Sequence, residues 1–304
     1  MAIAFAAVAS SVVGCVGGRQ NWRLEPLEPA DDLDQSLFEL SKPVPVTAPI
    51  AEHLGLRFVG RECDPDRTQE HCNTRMPKTW TQEEIEIVKS ALNEIDATPR
   101  GRAVIQRAQA LGYGRLRRFA HHINLPSGTA NTSARAVLRR VTRTIDFNDA
   151  FFRCISARDK FSGTPGLSIT TMVTLHEIMH AVDDARIYSE SAEFLRLLDF
   201  RRDQHGVWRL WRLNSLSQVD AQEWDRQVRR SNDAADAGLC ELSFAISREY
   251  GPKLLKTLPS MRAADRPSDA FAEIGMHLVL DRQVESYLQP NVVEYFNTHV
   301  FVQP

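Results

Sequence analysis

The stretch 174–184 reads TLHEIMHAVDD and contains the pattern H-E-x-x-H, with histidines at positions 176 and 180. On an α-helix, residues four apart lie on the same face, one turn above each other. His176 and His180 can therefore direct two imidazole nitrogens at one zinc ion, at the usual distance of about 2.0–2.1 Å. The carboxylate of Glu177 lies beside them and can take a proton from a water molecule that the metal activates. This pattern is typical of zinc metallopeptidases.

The residues around this pattern are strongly apolar. They predict a helix over 167–185, entered through Thr170 or Thr171. Unpaired histidine and glutamate side chains are costly to bury on such a helix, and a metal ion would remove that cost. The alternative is a surface helix with incidental histidines. We therefore predict one zinc ion as cofactor.

A catalytic zinc site needs three protein ligands and one open position. The continuation H-x-x-G-x-x-H is absent, because Asp183 and Arg186 stand at those places. The third ligand must come from elsewhere in the chain. A second predicted helix at 268–282 contains DAFAEIGMH, which places Asp269 and Glu273 on one face among apolar neighbours. Buried acids require a partner, and a metal or a metal-bound histidine is a good one. The alternative is that Asp269 and Glu273 form a solvated acidic stripe on the surface of an amphipathic helix.

Together the two segments resemble the catalytic domain of the anthrax-toxin lethal-factor-like zinc metallopeptidases, a gluzincin family of the zincin superfamily. The family pattern is H-E-x-x-H-A-V-D-D followed by E-x-F-A-E, and the resemblance covers about residues 165–300. It implies that His176 and His180 bind zinc and that Glu177 is the general base. It further implies Asp269 as the third ligand, with Glu273 supporting the site.

The resemblance also implies an α+β fold, a zincin-like metallopeptidase domain. We expect this domain to be mostly helical, with a small mixed sheet and H-E-x-x-H on the central helix. Substrate would lie along an edge strand, which we place at 143–148.

Two residues depart from the family pattern. Asp269 replaces glutamate and is one methylene shorter, so its helix must approach the metal more closely; Glu273 is the alternative ligand. Arg262 stands where the family has tyrosine. Arginine can stabilise an oxyanion but is a poor proton donor, so Tyr250 or His277 would have to donate, or the enzyme is slow or inactive.

Two acids follow the histidines directly. Asp183 and Asp184 are candidates for supporting the metal site or for ending the helix. Ordinary solvation is the alternative for both.

The N-terminus predicts export. Residues 1–18 are apolar and uncharged, too short to span a bilayer, and VVGC at 12–15 fits a bacterial lipobox. We read 1–15 as a signal peptide, with Cys15 as the lipidation site; the lack of a preceding Lys or Arg is atypical. The expected location is the cell envelope, facing the periplasm or the cell surface, with the lipid as the membrane anchor.

The other four cysteines are an even number suited to an oxidising compartment. Cys63 and Cys72 enclose a short polar loop and form a natural bridge, which leaves Cys154 and Cys240 to pair by default. Three pairings are possible, and the spacing does not choose between them.

Domain boundaries follow from composition. A tether at 16–52 precedes the folded part, since 19–50 contains five of the fifteen prolines. The catalytic domain is predicted at 53–304. Its parts are an upstream region at 53–140, a metal-site core at 141–304 and an insert at 186–266 within that core. Other predicted helices are 82–96, 100–111, 189–200 and 216–250, with Gly251-Pro252 as a stop and a hairpin or lid at 206–212.

Composition and charge exclude some classes of protein and of binding partner. Hydrophobic residues make up 43% and charged residues 25%, as in ordinary soluble proteins, and the net charge of −2 predicts no nucleic-acid partner. The segment 100–143 contains ten arginines and no Asp, Glu or Lys. It is either a solvated face that pairs with acidic segments or a surface for anionic envelope partners.

The sequence therefore predicts a monomeric zinc metallopeptidase of the bacterial cell envelope that hydrolyses peptide bonds in a peptide or protein substrate. One alternative is a weak or inactive zincin-fold lipoprotein that binds envelope polymers or proteins through 100–143. Another is a zinc hydrolase acting on a non-peptide cell-wall cross-link.

Overall fold

A computed structural model describes residues 51–62, 75–120, 122–124, 129–131, 136–140, 142–153, 168–237, 239–255 and 257–302. The predicted signal peptide, its Cys15, nearly all of the tether, and Cys63, Cys72 and Cys154 lie outside these residues. Among the residues described, no helix has the length and apolar character needed to cross a membrane.

The fold is mostly helical with a small mixed sheet, which confirms the predicted α+β class. The described strands are β1 (Ala51–His53), β2 (Leu56–Phe58), β3 (Arg115–Arg118), β4 (His122–Asn124), β5 (Thr129–Asn131), β6 (Ala136–Arg139), β7 (Thr144–Phe147), β8 (Phe200–Arg202) and β9 (Trp208–Leu210). The main sheet has the order β1-β2-β3-β7-β6. Strands β2, β3 and β7 are parallel, while β1 and β6 run antiparallel to their neighbours. Strand β1 begins inside the predicted tether.

The prediction of an edge strand at 143–148 is wrong. Strand β7 pairs with β3 on one side and with β6 on the other, and β6 is the edge. The alternation of polar Thr144 and Asp146 with apolar Ile145 and Phe147 suggested one solvated face. All four residues are buried, because arginines neutralise Asp146 inside the protein.

The buried arginine cluster centres on that carboxylate. Asp146 lies 2.8 Å from Arg117 Nε, 2.5 Å from Arg75 Nη2 and 3.8 Å from Arg139 Nε. Burial alone would raise the pKa of Asp146, but the guanidinium groups of Arg117 and Arg75 hold it well below its usual range. One buried carboxylate therefore lies among three buried guanidinium groups.

The described arginines of 100–143 have intramolecular partners. Arg107 donates to the carbonyls of His299 and Val300, each at 2.7 Å, and Arg143 donates to that of Leu111 at 2.6 Å. The remaining partners are Glu285 for Arg100, Asp96 for Arg102, Glu62 for Arg115, Asp146 for Arg117 and Arg139, Glu84 for Arg118, and the Asp183 carbonyl for Arg140. An anionic partner would have to compete with these contacts.

The first two helices, α1 (Gln82–Asp96) and α2 (Pro99–Ala110), agree with the predicted spans 82–96 and 100–111. The short helix α3 (Asp149–Arg153) was not predicted. Helix α1 opens with a capping box, in which Thr81 Oγ1 accepts from the Glu84 amide at 3.2 Å and the Glu84 carboxylate accepts from the Thr81 amide at 3.0 Å.

Helix α4 (Ile169–Val182) is the central helix and carries the H-E-x-x-H pattern. It packs against α1, α2 and β6. Its N-cap is Ser168, whose hydroxyl accepts from the Thr171 amide at 3.1 Å, rather than the predicted Thr170 or Thr171. Every residue of α4 except the half-buried His180 is buried, as the apolar sequence indicated.

The insert contains three helices and a hairpin. These are α5 (Ala192–Leu198), the β8–β9 hairpin, α6 (Gln218–Asp236) and α7 (Cys240–Leu254). The prediction of one helix over 216–250 is wrong, because the chain turns between α6 and α7 so that the two halves pack against each other. Pro252 lies inside the last turn of α7 rather than ending it. Cys240 is disulfide-bonded.

Two further helices complete the described chain, α8 (Pro267–Leu280) and α9 (Pro290–Tyr295). Helix α8 packs against α4, and Gly275 permits a close approach. A Cβ atom at position 275 would lie 2.2 Å from Met179 Cε and 3.0 Å from Phe296 Cε1. Glycine therefore lets the two helices that carry the candidate ligands lie close together.

Candidate metal centre

Helices α4 and α8 bring three candidate donor atoms together. His176 Nε2 lies 3.0 Å from His180 Nε2, and His180 Nε2 lies 3.5 Å from Asp269 Oδ1. The donor atoms of these three residues all lie within 4.8 Å of one another. A tetrahedral zinc ion with ligands at about 2.0–2.1 Å requires donors about 3.3–3.5 Å apart. The distance from His180 to Asp269 matches this spacing and that between the two histidines is slightly shorter, so the two imidazoles and the carboxylate could together hold a metal ion such as zinc.

The two carboxylate oxygens of Asp269 have different partners, Arg266 and His180. Arg266 Nε donates to Oδ2 at 2.7 Å, which leaves Oδ1 directed at His180. Burial would raise the pKa of Asp269, but Arg266 and His180 hold it well below its usual range. The side chain is thus ionised, as a ligand must be.

Glu273 lies behind His176 and has both carboxylate oxygens engaged. Oε1 lies 3.0 Å from His176 Nδ1, a hydrogen-bonding distance although the ring N–H is not aligned with it, and Oε2 accepts from Ser260 Oγ at 2.7 Å. Burial opposes its ionisation, yet its contacts with His176 and the charge of Arg262 lower the pKa of Glu273 to about 2. This placement favours Asp269 over Glu273 as the third ligand.

Glu177 faces the edge of the sheet. Its Oε2 accepts from the backbone amide of Leu138 in β6 at 2.9 Å. Burial raises the pKa of Glu177 to about 7, although His176, Arg262 and the Leu138 amide each oppose this rise. A carboxylate with a pKa near neutrality is suited to proton transfer.

Arg262 lies in a short 3₁₀ helix just before α8. Burial would lower its pKa, but the negative charges of Glu273, Asp269 and Glu177 raise it. The guanidinium is therefore close enough to interact with all three acids of the centre. It also lines a small cavity of about 20 Å³ together with Glu273 and four serines of the insert, Ser231, Ser243, Ser247 and Ser260.

His277 and Tyr250 are the candidate proton donors for the reaction. His277 Nε2 is 3.8 Å from Glu273 Oε2, and burial lowers the pKa of His277 to about 4, so the imidazole is neutral at pH 7. Tyr250 is half-buried, with Lys253 Nζ 4.8 Å from its ring centroid. The described contacts join neither side chain to His180 or Asp269.

Asp183 and Asp184 fix the chain where α4 ends. The carboxylate of Asp183 accepts from the amides of Tyr188 at 3.0 Å and Ser189 at 2.9 Å. That of Asp184 accepts from the hydroxyl of Tyr113 at 3.0 Å. The helix-end role predicted for these acids agrees with these contacts.

Sequence reasoning missed three groups. The Leu138 amide leaves no sequence signal, because any residue except proline supplies one. Ser260 lies outside every recognisable motif. Arg266 could have been found from its spacing, since it precedes Asp269 by three residues at the start of a predicted helix.

Comparison of the chain with protein-family models, with curated proteins and with solved structures finds no match. The function must therefore be argued from the motifs and from the geometry above.

Proposed function

We propose that this chain is a zinc-dependent metallopeptidase of the lethal-factor-like type, built on a zincin-like domain. The observation that carries the proposal is the convergence of His176, His180 and Asp269 from two helices, with the carboxylate of Glu177 beside them. When bound, zinc supplies Lewis acidity, which polarises a carbonyl group and makes a water molecule more acidic. The chain's own residues supply the rest.

Glu177 is the proposed general base, because its buried carboxylate is close enough to interact with His176 and Asp269 and accepts a hydrogen bond from the sheet edge at Leu138. Arg262 would stabilise negative charge on the carbonyl oxygen of the substrate, because its guanidinium is fixed near the acids of the centre. Among the described residues, strand β6 is paired with β7 on one side only, and its other edge is where an extended peptide would pair by backbone hydrogen bonds. Its Leu138 already contacts Glu177, which places that edge beside the proposed base.

We also propose that the protein is an exported lipoprotein anchored through Cys15. The lipobox supports this, although it lies outside the described residues. The disulfide bond at Cys240 adds support, because such bonds persist mainly in oxidising compartments.

Metal analysis of the purified full-length chain tests the ligand set. We expect one zinc per wild-type chain by mass spectrometry. His176→Ala and Asp269→Ala should lose it, because each removes one of only three protein ligands. Glu273→Ala should retain most of it, with lower affinity. His205→Ala is the matched control, because His205 lies exposed in the β8–β9 hairpin and should leave the zinc content unchanged.

Two results would contradict the assignment. Zinc loss in Glu273→Ala with retention in Asp269→Ala would exchange the roles of the two acids. A wild-type chain that takes up no zinc even after reconstitution would refute the hydrolase and favour the binding lipoprotein.

A further inference from the structure

Ser260 is a buried residue next to the candidate metal centre that belongs to no motif. It is 2% exposed and lies just before the 3₁₀ helix of Arg262. Its hydroxyl donates to Glu273 Oε2 at 2.7 Å and accepts from the Ala263 amide at 3.4 Å. Because the amide faces a lone pair of this oxygen, the hydroxyl proton is left to point at Glu273.

The insert holds Ser260 in place. The amide of Met261 donates to the Ser247 carbonyl in α7 at 3.0 Å. The backbone of Gly251 abuts the same segment, since a Cβ atom there would lie 2.4 Å from the Ser260 carbonyl carbon. Ser260 is thus held by backbone contacts with α7, while the 3₁₀ helix that follows it packs against α8.

The bond from Ser260 determines what Glu273 can do. With Oε2 engaged by the hydroxyl, Oε1 is the oxygen left for His176 Nδ1, 3.0 Å away. A carboxylate at Nδ1 stabilises the tautomer that has its proton there, so that Nε2 presents a lone pair to a metal. Ser260 therefore contacts Glu273, and Glu273 in turn contacts His176.

We propose that Ser260 is a positioning residue of the metal centre, which orients His176 through Glu273. This inference rests on the proposed zinc site. It concerns a residue from the insert, outside the helices that carry the ligands, and it makes zinc affinity depend on how α7 holds the Ser260 segment.

The test is the zinc dissociation constant of the full-length chain, measured by competition with a chromogenic chelator. Loss of an outer contact to a metal-bound histidine typically weakens metal affinity by about 10–100-fold. That range applies to Glu273 itself, so we expect a loss at its lower end, about tenfold, for Ser260→Ala, which acts one contact further out. The matched control is Ser243→Ala in the same cavity, because the Ser243 hydroxyl contacts Ser231 at 3.1 Å rather than Glu273. It should remain close to wild type.

A double-mutant cycle separates positioning from general destabilisation. If Ser260 acts through Glu273, then Ser260→Ala should have almost no further effect on zinc affinity in a Glu273→Ala background. A full effect in that background would overturn the proposal. The isosteric pair Ser260→Thr and Ser260→Val repeats the comparison without leaving a cavity, should Ser260→Ala fail to fold. The threonine variant should bind zinc more tightly than the valine variant.

The outcomes also separate this inference from the proposed function. A wild-type chain that binds no zinc would refute the zinc site itself. Zinc binding that Ser260→Ala weakens no more than Ser243→Ala does would refute the role of Ser260 alone.

Discussion

Replacing Glu177 by glutamine is expected to lower kcat for peptide hydrolysis by about 10²–10⁴-fold, the usual contribution of a general base. Glutamine has nearly the same shape but cannot take up a proton. The three candidate ligands are unchanged, so zinc should stay bound. The variant also retains an oxygen that can accept from the Leu138 amide, so the contact between α4 and β6 should survive.

The measurement is cleavage of a mixed peptide library followed by mass spectrometry, with zinc content determined on the same samples. Glu294→Gln, on the exposed side of α9, is the matched control and should cleave like wild type. Equal cleavage by Glu177→Gln and wild type would refute the assignment of the base. Zinc binding without cleavage of any peptide by the wild type would instead favour the non-peptide hydrolase.

The second large effect concerns stability. Asp146→Asn is expected to lower the free energy of unfolding by about 3–5 kcal/mol, the range found when one partner of a buried ion pair is removed. The variant removes the negative charge that the buried guanidinium groups of Arg75 and Arg117 both contact. The loss should exceed that of an exposed pair, for which about 0–1 kcal/mol is typical.

Urea unfolding at several pH values measures this effect. Because the pKa of Asp146 is lower in the folded than in the unfolded chain, its ionisation stabilises the fold above the unfolded pKa of about 3.9. That contribution falls as the pH drops below this value, so the wild type should lose stability there more steeply than Asp146→Asn. Asp96→Asn, which removes the exposed pair with Arg102, is the control. A variant as stable as wild type at pH 7 would contradict the prediction.

The local part of the fold was predictable from sequence. Helix α1 matched its predicted span because its capping box and apolar spacing lie within fifteen residues. The H-E-x-x-H helix and α8 could likewise be predicted from neighbouring residues alone, since a four-residue spacing determines which side chains share a face. The resemblance then joined the two helices, and the structure brings His176, His180 and Asp269 together.

The rest depended on contacts between distant residues. Strand β7 was misplaced at the edge because nothing near Asp146 reveals that Arg75, far away in the chain, neutralises it. The turn between α6 and α7 depends on how the two helices pack. Ser260 reaches Glu273 through the packing of its segment against α7 and α8, and a serine has no pattern by which such a role could be recognised.

The chain between helices α4 and α8 begins at Asp183 and ends at Arg266. The side chain of Asp183 accepts from the Ser189 amide, and that of Arg266 donates to Asp269, so both ends are held in place. Loop-closure entropy grows only logarithmically, by about 0.6 kcal/mol for each doubling of length. Length changes in the β8–β9 hairpin of the insert should therefore cost little and leave the histidines in place. Helix α7 is not exchangeable in the same way, because it holds the Ser260 segment, so a graft of foreign sequence here should keep the native chain from α6 onward.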